Sequence, residues 1–130
     1  MGTFTLKLQQ FQDKTAIQAD QWVRQVALDV WGRLIIWSPV DTGCFRANWM
    51  LSIDTPAEGW FEVAGTSGNP EPPPPTPGIQ PGQGAGHVIW ISNNVPYANF
   101  LEFGTDRMPA RGMVGLTVME FAGIAEAAKP

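Results

Sequence analysis

Between Asp13 and Ile36 apolar residues return every three or four positions: Ala16, Ala19, Val23, Val26, Val30 and Leu34. That period places them on one face of an α-helix. A second apolar stripe, Ile17, Leu28, Trp31 and Ile35, flanks the first, and Gln18, Gln21, Gln25, Asp29 and Arg33 form a narrow polar strip. A helix with two apolar flanks has to touch more than one neighbour, so one flank is a candidate subunit interface. Twenty-four residues rise roughly 36 Å, enough to span a compact domain of this length, whose radius of gyration is about 14 Å. Pro39 biases Ser38 away from the helical region and ends the helix near Trp37. Upstream, Thr3 to Leu8 alternates polar and apolar, the pattern of an arm or short edge strand.

After the helix the period changes. Asp41-Thr42-Gly43 is turn chemistry. Phe45, Ala47, Trp49, Leu51 and Ile53 then alternate with polar positions, as in a half-buried strand. Pro56 to Gly59 reads as a turn and Trp60 to Ala64 as a second strand, giving a hairpin. Val88 to Ser92 is a further short strand. Pro96 to Phe103 suits a short helix ended by Gly104. Met113, Leu116, Met119, Ala122 and Ile124 mark an amphipathic helix over 113–128. The elements together give an α+β fold: a long N-terminal helix and a C-terminal helix packed on a small, mainly antiparallel sheet, in one domain over 1–130.

Residues 66–87 break every period. They hold seven Pro and five Gly in 22 positions. Pro72-Pro73-Pro74-Pro75 favours polyproline II, and Pro70 to Pro77 spans roughly 25 Å in that form. Long structureless inserts between strands are uncommon and are functional or disordered. The segment is therefore a candidate arm or loop that projects from the domain.

Composition narrows the function classes. Eight Lys and Arg stand against twelve Asp and Glu, for a formal net charge of −4, which argues against nucleic-acid affinity as the main activity. One cysteine, Cys44, excludes a disulfide framework within the chain, and with one histidine, His87, it excludes a multi-Cys/His zinc cluster. No apolar run is long enough for a membrane span, and Met1 to Gln10 lacks a signal peptide's apolar core, so folding in a cytoplasm is expected. Gly82-Gln83-Gly84-Ala85-Gly86 lacks the Lys and following helix of a phosphate-binding loop. A Cys44–His87 nucleophile pair has no local motif behind it. No cofactor, metal or catalytic set is expected. Six tryptophans are dense for 130 residues, and Trp is enriched at interface hot spots. A charge-assisted bond from Arg46 to Glu102, or to Asp41, is a candidate pin between the strand and the short helix.

Three segments in order carry a resemblance. Ser38-Pro39-Val40-Asp41-Thr42-Gly43-Cys44-Phe45-Arg46-Ala47-Asn48-Trp49 closes the long helix. Asn94-Val95-Pro96-Tyr97-Ala98-Asn99-Phe100-Leu101-Glu102-Phe103-Gly104-Thr105 follows fifty residues later, and then Pro109-Ala110-Arg111-Gly112-Met113-Val114. The order resembles the neck and tail-completion proteins of long-tailed bacteriophages, related to minor tail protein Z, over most of residues 13–125. The Pro-rich insert is longer than the family's usual crossing between the second and third strands, and Phe45 stands where Leu is usual.

The resemblance implies a virion structural protein and not an enzyme. It implies a subunit of a ring at the head–tail joint, six-fold by the symmetry of long tails, assembled in the host bacterial cytoplasm. Its partners would be copies of itself, the tail terminator, the head-side stopper or connector, and possibly the tail tube. DNA would pass through the joint without specific binding. Pro39, Asp41, Thr42, Gly43, Arg46, Trp49, Tyr97, Glu102, Gly104 and Thr105 are the implied motif and interface positions. The competing reading is a non-enzymatic interaction module whose Pro72–Pro75 arm is a ligand for an aromatic groove.

Overall fold

A computed structural model describes residues 2–106 and 109–130, with side chains from Thr15 onward. The fold is α+β: a long N-terminal helix, helices at the C-terminus and a small antiparallel sheet. The helix α1 spans Gly2–Trp37, α2 Cys44–Ala47, β1 Met50–Ile53, β2 Ile89–Ser92, α3 Ala98–Phe103, α4 Met113–Met119 and α5 Phe121–Ala127.

The first helix begins earlier than expected. The edge strand or arm read over Thr3 to Leu8 is the opening of α1. No proline interrupts residues 2–37. Once a helix is nucleated, each added residue gains a hydrogen bond at little cost, which overrides a short alternating pattern. At 36 residues α1 is about 54 Å long. Ser38 closes it: its N–H donates to Ile35 O at 3.2 Å, and its Oγ donates to Leu34 O at 2.6 Å.

The strand read over Phe45 to Ile53 is in fact a helical turn followed by a four-residue strand. Ala47 N–H donates to Gly43 O at 2.9 Å and closes α2. Phe45 and Trp49 are four apart, so one helical turn puts both on the same face as readily as a strand would. Both are buried, with rings edge to face at 5.5 Å.

The hairpin expected between this strand and Trp60 to Ala64 does not form. The partner of β1 is β2, antiparallel, with Leu51 opposite Ile91 and Ile53 opposite Ile89. These four side chains share one sheet face, of which Leu51 and Ile91 pack against the core. Residues 60–64 lack that alternation, with Trp60 and Phe61 adjacent.

The expected C-terminal helix is present as two pieces with a kink at Glu120, where φ is −96° and ψ 2°. Thr117 Oγ donates back to Met113 O at 2.7 Å, a bond that bends helices. The kinked residue is held from outside by an ion pair between Arg33 of α1 and Glu120. Trp22 Nε1 adds a bond to Ala125 O at 2.6 Å.

The core gathers Trp31, Leu34 and Ile35 from α1 with Phe45, Trp49, Val95 and Met113. Burying each of these side chains contributes about 1.5–3 kcal/mol. Two buried polar links orient it. Trp49 Nε1 donates to Ser38 Oγ at 2.7 Å, and Trp31 Nε1 donates to Trp49 O at 3.4 Å.

Candidate functional site

The three motif-like segments meet around Phe45, Trp49 and Met113, where a shallow cleft of about 390 Å³ also touches Ala98, Glu102 and Val114. Each motif residue has a local task. Pro39 follows the last turn of α1. Thr42 Oγ1 accepts from Cys44 N–H at 3.3 Å and shapes the turn into α2. Gly43 has φ 85°, a left-handed conformation that favours glycine. Asp41 accepts a hydrogen bond from Ser67 Oγ. Gly104, with φ 80°, ends α3 and donates to Phe100 O at 2.8 Å, while Thr105 is exposed beyond it.

The pairing expected between Arg46 and Glu102, or Asp41, is not formed. Arg46 Nη2 donates to the backbone carbonyl of Glu71 at 2.5 Å. Glu102 instead reaches the start of α4, where Oε1 accepts from Val114 N–H at 2.9 Å and Oε2 from Gly115 N–H at 3.0 Å. The first amides of a helix lack internal partners, and α4 has no side-chain cap of its own at Gly112. A carboxylate there satisfies two orphan donors and sits at the positive end of the helix dipole. Arg46 is half-buried and already engaged by the Glu71 carbonyl.

Tyr97 lies beside Cys44. Burial pushes its phenol up to about 12, with help from a hydrogen bond with Cys44 and the charges of Cys44 and Asp41. Cys44 Sγ also lies 3.9 Å from Phe61 O. His87 stands elsewhere, with Nδ1 2.9 Å from Asp54 Oδ2. The imidazole, foremost, holds the Asp54 carboxyl below its ordinary value, against the opposing effect of burial. The sole cysteine and sole histidine therefore have separate partners. Among the described residues no cluster of His, Cys, Asp and Glu could hold a metal ion. No helix there is long and apolar enough to cross a membrane.

The 66–87 segment is tied to the body at both ends. Near its start, Glu71 N–H donates to Thr42 O at 2.8 Å, while Glu71 O takes the Arg46 bond. Near its end, Asp20 of α1 receives Gly82 N–H at 3.0 Å and Gly84 N–H at 2.7 Å, alongside Arg24 Nε at 2.9 Å. These bonds, led by that from Gly82, lower the Asp20 carboxyl below its ordinary value despite partial burial. Eleven steps of polyproline II from Glu71 to Gly82 cover roughly 34 Å. The seventeen steps of α1 from Asp20 to Trp37 cover about 26 Å, with the Thr42 turn beyond. The segment is thus long enough to run the length of that helix stretch as a strap. Burial along it repeats every three residues. Glu71, Pro74 and Pro77 are half-buried, whereas Pro72, Pro73, Pro75 and Thr76 are exposed. Three residues per turn is the polyproline II period.

Residues that are not among the implied motif and interface positions do much of this positioning. Asn48 is fully buried and binds Phe61 through both ends of its carboxamide. Asn93 Nδ2 donates to Phe45 O at 2.7 Å, and Asn94 Nδ2 to Ala57 O at 2.9 Å. Single polar side chains like Asp20 and Asn93 leave no sequence signal, because their partners are distant backbone groups.

Large apolar side chains remain on the surface. Ile36 is 80% exposed, Phe103 75%, Met119 81% and Val118 67%. An open apolar groove of about 500 Å³ runs beside α1, lined by Trp22, Val26, Val30, Ile89 and Phe121. No family model, no curated protein and no solved structure matches this chain.

Proposed function

We propose that this chain is a structural subunit of a phage virion, acting in tail completion or head–tail joining by packing into a homo-oligomeric ring at the neck. The observation that carries the reading is the convergence of the three motif-like segments on one site. Residues 38–49, 94–105 and 109–114 interlock through Tyr97 with Cys44, Leu101 with Arg111, and Glu102 with Gly112 and Val114. A shared pattern that builds one junction is what a family resemblance should mark.

The exposed apolar surface supports packing against other subunits. Ile36, Phe103, Val118 and Met119 face solvent in the single chain, which leaves large apolar side chains available for a contact with another subunit. Rings arise when a heterologous interface closes on itself. In this reading the chain is not an enzyme; its partners are its own copies and the tail terminator or head-side connector, in a virion assembled in the host cytoplasm. The acidic balance suits a joint through which DNA passes without being retained.

The test is microscopy of particles from a phage carrying an early nonsense codon in this gene. Full heads beside detached or abnormal tails are expected, and intact infectious virions would remove the reading. The competing reading, an interaction module that offers its Pro-rich segment to a partner, is favoured by the exposure of Pro72, Pro73 and Pro75. It expects normal particles and a stable monomer.

A further inference from the structure

We propose that the apolar groove beside α1 binds a fatty-acid anion, with the alkyl chain lying along Val26 and Ile89 and the carboxylate at the end marked by His87 and Lys129. The inference does not rest on the ring reading and gives the groove a ligand of its own.

The groove has two unlike ends. Trp22, Val26 and Val30 line it from α1, and His87, Ile89 and Ile91 from the β2 side. Val30, Ile91 and Phe121 also line a separate hollow of about 150 Å³. These three residues therefore stand between the two spaces and close the groove at one end, where Val30 and Ile91 pack on the core. The backbone fixes the other end. His87 N–H donates to Gly84 O at 3.3 Å, and Gly84 N–H donates to Asp20 Oδ1 at 2.7 Å, two residues from Trp22. His87 thus belongs to the Trp22 end. From Trp22 to Val30 α1 rises about 12 Å.

That shape selects the occupant. A volume of about 500 Å³ lies in the range of small-molecule sites, which are mostly apolar with a few polar groups that orient the ligand. A partner helix or strand needs a trough that continues along several anchor positions. This one stops at Val30, Ile91 and Phe121 after about two helical turns. A single alkyl chain fits a short blind groove and buries its length there.

Charge selects the head group. His87 Nδ1 lies 2.9 Å from Asp54 Oδ2. The Asp54 backbone is itself held at φ 68°, uncommon for a residue other than glycine. With Nδ1 engaged, Nε2 is the ring nitrogen that can meet a ligand, as a donor in the imidazolium form. Lys129 Nζ stands 6.0 Å from the centre of the Trp22 ring and takes no ion pair among the described residues. The nearby carboxylates are spent: Asp54 on His87, and Asp20 on Arg24, Gly82 and Gly84. Glu126 of α5 is exposed, where solvent and salt screen it. The charge left over at this end is positive and complements an anionic head.

The experiment is titration of the full chain with decanoate, below the concentration at which decanoate self-associates, followed by amide and indole NMR. Saturable single-site binding is expected, with shifts at the Trp22 indole N–H and the Ile89 and Ile91 amides. Decanol, which has the same chain and no charge, should bind roughly tenfold more weakly. His87→Ala and Lys129→Ala change exposed residues and should each weaken decanoate binding by about threefold or more. Val26→Trp fills the groove and should abolish binding while the buried Trp49 indole signal keeps its position. If that variant does not fold, the two surface variants and decanol still decide. Absence of saturable binding overturns the proposal, as do equal affinities for decanol and decanoate, unchanged binding in both surface variants, or binding that survives in folded Val26→Trp. Loss of self-association in folded Val26→Trp, with no decanoate binding to the wild type, makes the groove a subunit contact and also overturns it. None of these results bears on the nonsense-codon phage, which tests the virion role separately.

Discussion

The Asn48 carboxamide binds the backbone of Phe61 in both directions: its Nδ2 donates to Phe61 O at 3.0 Å, and its Oδ1 accepts from Phe61 N–H at 2.9 Å. The side chain does for residue 61 what a paired strand would have done. It also donates to Cys44 O at 2.7 Å and so closes α2. With Asn48 fully buried, these bonds have no water to replace them on its side.

Replacing Asn48 tests that link. Asn48→Ala removes a buried partner from Cys44 O and from both backbone groups of Phe61. Unsatisfied buried groups cost about 1–3 kcal/mol each, and solvent can reach the Phe61 side. A loss of about 1–3 kcal/mol is expected by urea unfolding. Asn48→Asp should be at least as harmful, because a carboxylate cannot donate to either carbonyl.

Asp20 should give the strap an acid-sensitive end. Its carboxyl is held below the ordinary value of 3.8, first by the bond from Gly82 and then by those from Gly84 and Arg24. A group whose folded value is depressed stabilises the fold above its unfolded value and loses that contribution as pH falls through the folded value. The clamp is therefore complete above about pH 5. It should open as the pH drops below 3.8 and through the lower folded value. Hydrogen exchange at the Gly82 and Gly84 amides should rise over that window in the wild type. In Asp20→Asn at least one of these two amides should exchange fast already at neutral pH, since the single carboxamide oxygen replaces acceptors at two positions.

Long-period features were legible in the sequence and partner choices were not. The α1 stripe of Val26, Val30 and Leu34 and the stop at Pro39 both appear in the structure, as does the short helix capped by Gly104. Phe45 and Trp49 fit a strand and a helical turn equally, because four residues is a multiple of one period and close to the other. The partner of β1 could not be read either. Trp60 to Ala64 is nearer in sequence, but Ile89 and Ile91 complete the apolar face. Arg46 and Glu102 were recognisable as side chains with a task. Their actual partners, the Glu71 carbonyl and the amides of Val114 and Gly115, are backbone groups that every residue carries.

Gly43 and Gly65 should tolerate no side chain. A Cβ on either would run into the backbone of Glu71, at the root of the strap, and one on Gly65 would also strike Thr42 O. Those atoms are held by the Thr42 and Arg46 bonds and cannot step aside cheaply. Gly43 carries the further strain of φ 85°. Gly43→Ala should lose about 1–3 kcal/mol from conformation alone, read by thermal unfolding, and protease should then cut within 66–87. Gly68→Ala, in open space at the same segment, should leave both readouts unchanged.

Glu102 separates capping from ion pairing. If its task is to cap α4, Glu102→Ala should lose about 0.5–2 kcal/mol, the range for removal of a helix cap, and Glu102→Gln should lose less, because its remaining oxygen can still accept one amide. The loss should change little with salt, since the bonds to Val114 and Gly115 at 2.9 and 3.0 Å are short and local. Arg46→Ala should destabilise by a separate route, through the Glu71 carbonyl. The double variant therefore decides between the two pictures. Residues in contact show coupling, and residues with no shared partner add within about 0.3–0.5 kcal/mol. Additive losses in Arg46→Ala/Glu102→Ala are expected by urea unfolding, and a coupling above about 1 kcal/mol would restore the direct ion pair.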